Sequence, residues 1–144
     1  MIGRALGVDY GDGTIGLAVS DPLGLTAQGA GSLDRVGDRK DLERLAALCA
    51  EREVLRVVVG LPLNMDGSEG PRAEKTRAFA RKIHERLGLP VFLWDERLST
   101  AEAERVLIQA DVSRRRRKEV IDTLAAQIIL QGWLDAGSPE VDPA

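Results

Sequence analysis

Three acidic residues stand where a folded chain would find charge costly. Asp9 sits in RALGVDY (residues 4–10), on a strand face with Ala5 and Gly7. A carboxylate on a central strand cannot stay ionised cheaply unless a cation or several donors compensate it. Glu96 closes PVFLWDE, which reads as a strand whose carboxyl end would open onto a ligand edge. Asp122 lies in KEVIDTLAAQIILQGWLD, where helical spacing puts it on one side with Ala125, Ala126, Ile129 and Trp133. If the first strand and the strand ending at Glu96 run parallel, both carboxylates emerge at the same edge. Acids gathered without the His or Cys of a zinc site suit hard cations such as Mg2+ or Mn2+. Hydrolysis at such a site would be metal-assisted.

Each acid also has a plainer reading. Asp9 could bond to its own turn, and Asp95 and Glu96 could be polar residues where a strand meets a loop. Asp122 could be a first-turn Asp favoured by the helix dipole. The single histidine, His84, falls in a charged helix facing solvent, so no Ser-His-Asp or Cys-His arrangement can be built around it. Cys49, the one cysteine, excludes an internal disulfide framework and sits among Leu45, Ala46 and Leu48 as a core residue.

Net charge is −3, which does not advertise a nucleic-acid binder, yet residues 114–118 read RRRRK. Arg114, Arg115, Arg116, Arg117 and Lys118 crowd the start of the last helix, where the macrodipole disfavours cations. Phosphate is the natural compensating group. Lys118 also falls about one helical turn before Asp122. Cations that hold a polyanion beside metal-binding carboxylates describe a nuclease. The bland alternative is a solvated loop.

GDGTIG (residues 11–16) matches the dinucleotide fingerprint G-x-G-x-x-G letter for letter. That site needs a helix to begin at the glycines, and TIGLAVS instead alternates like a strand. No placement of the acids fits a calcium loop. The stretch reads as a tight hairpin, with Asp12-Gly13 in a type I′ turn.

The elements that must position these residues follow from periodicity. RALGVDY and TIGLAVS alternate at period two, and a third short strand runs from Asp21-Pro22 to about residue 32. A helix spans 38–53, LRVVVG (55–60) reads as a doubly covered parallel strand, and 61–70 is a loop. Pro71 opens a second helix that Gly88 stops. After PVFLWDE, Ser99 and Glu102 form a capping box for TAEAERVLIQA, and KEVIDTLAAQIILQGWLD is the final helix. Three antiparallel strands, then two helix–strand units and two helices, give an α/β domain: a mixed five-stranded sheet flanked by helices.

The chain of 144 residues makes one domain over 1–136, with a tail over 137–144. With 44% hydrophobic and 30% charged residues it is globular rather than disordered. No apolar run approaches the ~20 residues of a membrane span and no leader opens it, so no membrane partner and a cytoplasmic location are expected. No heptad or apolar stripe marks a dimer face, and monomer and homodimer both stay open.

Taken together, GVDYGDGTIGLAVSD, VVVGLPLNMDGSEG, DERLST and RRRRKEVIDTLAAQIILQGWLD resemble the YqgF (RuvX-like) family, small nucleases of the RNase H-like fold. The match spans nearly the whole chain in family order. The resemblance implies that Asp9, Glu96 and Asp122 are the catalytic, metal-binding acids of a two-metal-ion nuclease using Mg2+ or Mn2+. It implies that Asn64 and its loop face the same cleft. It offers two substrates, the 5′ end of precursor 16S rRNA and four-way DNA junctions, with rRNA processing preferred. The family often carries Lys or Arg in the hairpin turn where this chain has Gly13 and Thr14. Asp95 is the nearest candidate for a fourth carboxylate. Two other classes are a non-catalytic nucleic-acid binding module and an actin-like phosphotransferase, for which the chain is too short.

Overall fold

Period-two alternation becomes five strands in the computed structural model, which describes residues 3–97 and 114–140, the side chains of 114–121 excepted. They are β1 (Arg4–Tyr10), β2 (Thr14–Ser20), β3 (Ala27–Asp34), β4 (Val54–Leu61) and β5 (Val91–Asp95). The helices among the described residues are α1 (Asp38–Glu51), α2 (Pro71–Leu87) and α3 (Arg114–Asp135). The sheet order is β3-β2-β1-β4-β5. β1 pairs antiparallel with β2 and parallel with β4, and β4 pairs parallel with β5. The expected mixed sheet is therefore present, with β1 at its centre.

The two faces of this sheet are built differently. Leu6, Val8, Ile15, Leu17, Val57 and Val59 point to one face and pack with Leu45, Phe79 and Ile83 of α1 and α2. Burying such side chains stabilises by roughly 1.5–3 kcal/mol each. The opposite face carries small residues, Ala5 and Gly7 on β1, Gly16 and Ala18 on β2, Gly60 on β4, and α3 lies against it. A Cβ at Gly7 would come within 2.7 Å of the Leu130 Cβ and 2.9 Å of the Ala126 carbonyl oxygen. Trp133 and Ile129 of α3 are fully buried there.

Several boundaries differ from the pattern in the sequence. β3 starts at Ala27, because the Asp21 carboxylate accepts the backbone N–H groups of Leu23, Leu25 and Thr26 and folds the preceding residues into a loop. The Asp12-Gly13 turn is not type I′, since neither residue has positive φ. Tertiary contacts shape it instead: the Arg35 N–H donates to the Gly13 carbonyl at 2.9 Å, and the Arg35 side chain grips Gly11. Helix α3 already includes Arg114, so the basic run has helical backbone rather than preceding the helix as a loop. Asp122 consequently lies beyond the first turn, and the dipole reading of it fails. At the other end of α3, the Ser138 N–H bonds the Trp133 carbonyl and the Trp133 indole N–H donates to Pro139. Pro71 and Gly88 bound α2 as expected, Gly88 in left-handed conformation with φ 70°. The capping pair Ser99 and Glu102 and their helix lie outside the described residues, as do the side chains of Arg114–Lys118.

Candidate active site

Asp9 reaches the α3 face near the carboxyl end of β1, and a glycine stands on each side of it. Gly16 is its antiparallel partner on β2. The parallel pairing of Val8 with Val59 brings Gly60 of β4 alongside on the other flank. Neither glycine has positive φ, so conformational freedom does not account for them. Space does. A Cβ on Gly16 would collide with the backbone carbonyl of Asp122, and one on Gly60 would collide with the Glu96 carboxylate and Ile129. The two missing side chains thus admit α3 on one side and the Glu96 carboxyl group on the other.

Each partner acid is held by its own contacts. The Thr14 hydroxyl donates to Asp122 Oδ2 at 2.8 Å. The Glu96 N–H donates to the Leu61 carbonyl at 3.2 Å, extending the β4–β5 edge by one bond. Strand alternation then separates the two adjacent acids of β5. Glu96 follows Phe92 and Trp94 to the α3 face, while Asp95 goes the other way and binds Arg97 at 2.6 Å. Burial works against the charge on Asp95, yet hydrogen bonds from Arg97 outweigh it and lower the pKa. The arginine, rather than the other acids, claims the Asp95 carboxylate.

Among the described residues, Asp9 and Glu96 are short of positive charge. Burial raises Asp9, the Asp122 charge adds to that, and Arg72 partly opposes both, leaving it at about 6. Glu96 is pushed to about 8, first by burial and then by the Asp9 charge, against the same Arg72. The two carboxyl groups lie close enough to couple, so protonation of one favours ionisation of the other. These values belong to the pair rather than to either residue. Arg72 is the functional candidate that sequence reasoning missed. A usable signal existed: Pro71 marks the start of a helix just after β4, so residue 72 must sit near the strand ends where ligands gather.

Asn64 is exposed in the loop over 62–70 and is committed within it. Its side-chain amide donates to Ser68 Oγ at 3.0 Å, and its backbone carbonyl accepts the Gly67 N–H at 2.8 Å. The loop lies at the same edge as Asp95 and Arg97, but no hydrogen bond of the Asn64 side chain reaches the three acids. His84 is exposed, with Nδ1 bonded to the Leu89 carbonyl, and Cys49 is buried with its thiol raised to about 11 by that burial. Neither can join the site chemistry.

The donors at the site are hard carboxylate oxygens, which suit a divalent cation of the magnesium or manganese type. The raised Asp9 and Glu96 mark a demand for positive charge that such a cation would meet. No three His, Cys, Asp or Glu side chains among the described residues are gathered into a ready-made cage for one ion. Within that set, Asp9 is coupled to Glu96 and to Asp122 in turn.

The chain matches the RuvX family, described as Holliday junction resolvase, over residues 3–136. A relative from Myxococcus xanthus named "Putative pre-16S rRNA nuclease" is 61% identical over 136 residues, covering 94% of this chain and 90% of the relative. One of the same name from Syntrophomonas wolfei is 56% identical, covering 94% and 96%. Among solved structures, T. thermophilus RuvC in complex with a Holliday junction substrate superposes with a TM-score of 0.62 at 14% identity, covering 96% of this chain and 98% of that one. The fowlpox virus Holliday junction resolvase superposes at 0.52 with 16% identity, covering 92% and 99%. These likenesses show the fold, an RNase H-like mixed sheet. Among the described residues no helix is long and apolar enough to cross a membrane.

Proposed function

Since the chain belongs to the RuvX family, we propose that it is a nuclease that hydrolyses phosphodiester bonds with divalent cations and trims the 5′ end of precursor 16S rRNA in the cytoplasm. The observation that carries this reading is the pair of glycines, Gly16 and Gly60, whose missing side chains bring Asp122 and Glu96 to Asp9. A chain that used Asp9 only for structure would have no reason to vacate both flanks for further acids.

Asp9, Glu96 and Asp122 are the residues that would hold the ions. Bound there, magnesium or manganese would supply an attacking water of lowered pKa and neutralise charge on the leaving 3′ oxygen. The protein's own part is orientation. Thr14 fixes one oxygen of Asp122, Gly60 seats Glu96, and Arg72 places a positive charge where a backbone phosphate can use it. Arg114 to Lys118, one to two turns before Asp122 on the same helix, would clamp the nucleic-acid backbone. Backbone contacts of this kind read shape rather than sequence.

The test is cleavage of a precursor 16S rRNA fragment and of a synthetic four-way DNA junction, side by side, with Mg2+ or Mn2+. We expect the rRNA to be cut and Asp9→Asn to abolish cleavage while leaving folding and nucleic-acid binding intact. Full activity in that variant overturns the assignment. Cleavage of the junction alone moves the substrate to branched DNA, as the RuvX description and the RuvC fold would suit. Binding without cleavage, and without divalent-metal stabilisation in a thermal melt, leaves a non-catalytic binding module.

A further inference from the structure

The β1–β2 turn separates Asp9 from Thr14, and one arginine holds it from the face opposite the acids. The Arg35 Nη1 donates to the Gly11 carbonyl at 3.2 Å, and the Arg35 backbone N–H donates to the Gly13 carbonyl at 2.9 Å. Its guanidinium lies 4.6 Å from the Tyr10 ring centroid and 5.5 Å from that of Phe79. The remaining donors are anchored in the helices: Nε to Asp41 Oδ2 at 2.7 Å and Nη2 to Asp38 Oδ1 at 2.6 Å. Asp41 is fully buried and is itself fixed by Arg44 and two backbone N–H groups.

Such a network is a poor device for stability alone, because desolvating its charges offsets most of their attraction. What it supplies is geometry. The turn has no left-handed residue; the Gly11 N–H donates to the Thr14 carbonyl to close it, and the Gly11 and Gly13 carbonyls are both held by Arg35. On one side of those carbonyls stands Asp9. On the other stands Thr14, which holds Asp122.

We infer that Arg35 is a positioning residue of the nuclease site, setting through the β1–β2 turn the placement of Asp9 relative to Asp122. This rests on the nuclease reading above. Partners bonded directly to metal-binding carboxylates are typically worth about 10–100-fold in metal affinity or activity; Arg35 acts one link further out, through the turn, so that range bounds its effect from above.

The test compares Arg35→Met, Arg35→Lys and Arg44→Met with wild type, reading Tm, Mn2+ affinity from metal-induced thermal shifts, and kcat and KM separately. Arg44 belongs to the same buried network but touches neither turn carbonyl. Arg35→Met should weaken Mn2+ binding and lower kcat by about 10-fold each, with KM for nucleic acid within about 2-fold. Arg35→Lys should recover Tm more than kcat, since an ammonium cannot span the turn and both helix acids. Arg44→Met should lower Tm while leaving Mn2+ affinity and kcat within about 2-fold. The inference is overturned if Arg35→Met loses Tm only, or if Arg44→Met loses as much kcat and Mn2+ affinity as Arg35→Met. Should Arg35→Met not fold, Arg35→Lys decides, and wild-type kcat in it overturns the inference. A wild type that cuts neither substrate with any divalent metal overturns the nuclease reading first, and this inference with it.

Discussion

Two carboxylate sites flank the central sheet, and the protein treats them in opposite ways. On the α1 side, Asp41 is fully buried, and burial alone would raise its pKa. Hydrogen bonds from Arg35 and Arg44 and from the backbone N–H groups of Val36 and Gly37 instead drive it down to about 2. On the α3 side, Asp9 and Glu96 are half-buried together, with Asp122 nearby and Arg72 as the counter-charge among the described residues, and both are pushed upward. One region completes the bonding of its buried acid from within the chain. Among the described residues the other leaves its acids short of positive charge, the kind of perturbed cluster that marks a candidate functional site.

The largest effect that would break this contrast is loss of Asp41. Asp41→Ala leaves Arg35 and Arg44 without their buried partner and should destabilise by about 3–5 kcal/mol in urea or thermal unfolding. A loss below about 1 kcal/mol would mean that the α1-side cluster is not the satisfied network described. Next comes Gly16→Ala, whose Cβ drives into the Asp122 carbonyl. Overpacking should cost about 1–3 kcal/mol of stability, and the displacement of Asp122 should lower kcat about 100-fold in the folded enzyme. Wild-type turnover in Gly16→Ala would show that close approach of α3 is not needed for the chemistry.

The pH dependences sharpen the comparison further, because the two regions have opposite signs. Asp41 has a depressed pKa, so its stabilisation is present above the unfolded value of 3.8 and is lost as pH falls toward about 2. Asp9 and Glu96 have raised pKa values. Their contribution is present below the unfolded carboxylate range and is lost as pH rises through about 6 and about 8. The Tm of metal-free protein should therefore fall between pH 5 and pH 9, and Mn2+ should restore it more at the upper end. The smallest effect belongs to Asp9→Asn, which should stabilise the metal-free protein at pH 8 by on the order of 1 kcal/mol. An unchanged or lowered Tm in that variant would indicate that Asp9 is already satisfied, like Asp41.

The split between the faces was largely legible from the amino acids. Leu6 and Val8 against Ala5, Gly7 and Asp9 follow from period two alone. The separation of Asp122 with Ala125, Ala126 and Ile129 from the polar side of its helix follows from the helical period of 3.6 residues. The three acids stood out because each is a charge in an apolar or small-residue setting. The family motifs did the same for the fold, since they span the chain in order. Arg72 was passed over because its only mark is positional, the helix start at Pro71 after the β4 loop, and its own residue type is ordinary on a polar helix. Asp95 and Glu96 could not be told apart until the strand's register assigned their faces.

Local sequence determined the strands, the helices and the side to which each strand residue points, because those depend on periodicities of two and 3.6 residues. Tertiary structure decided what the glycines of GDGTIG are for. The sequence marks Gly16 only as a small residue in a strand. Its role appears when α3 crosses it and Thr14 meets Asp122, 108 residues away. The same holds for the turn, whose Asp12-Gly13 chemistry favours one conformation while Arg35 imposes another. Close packing between distant segments is a property of the assembled sheet and helices, and no short stretch of the chain carries it.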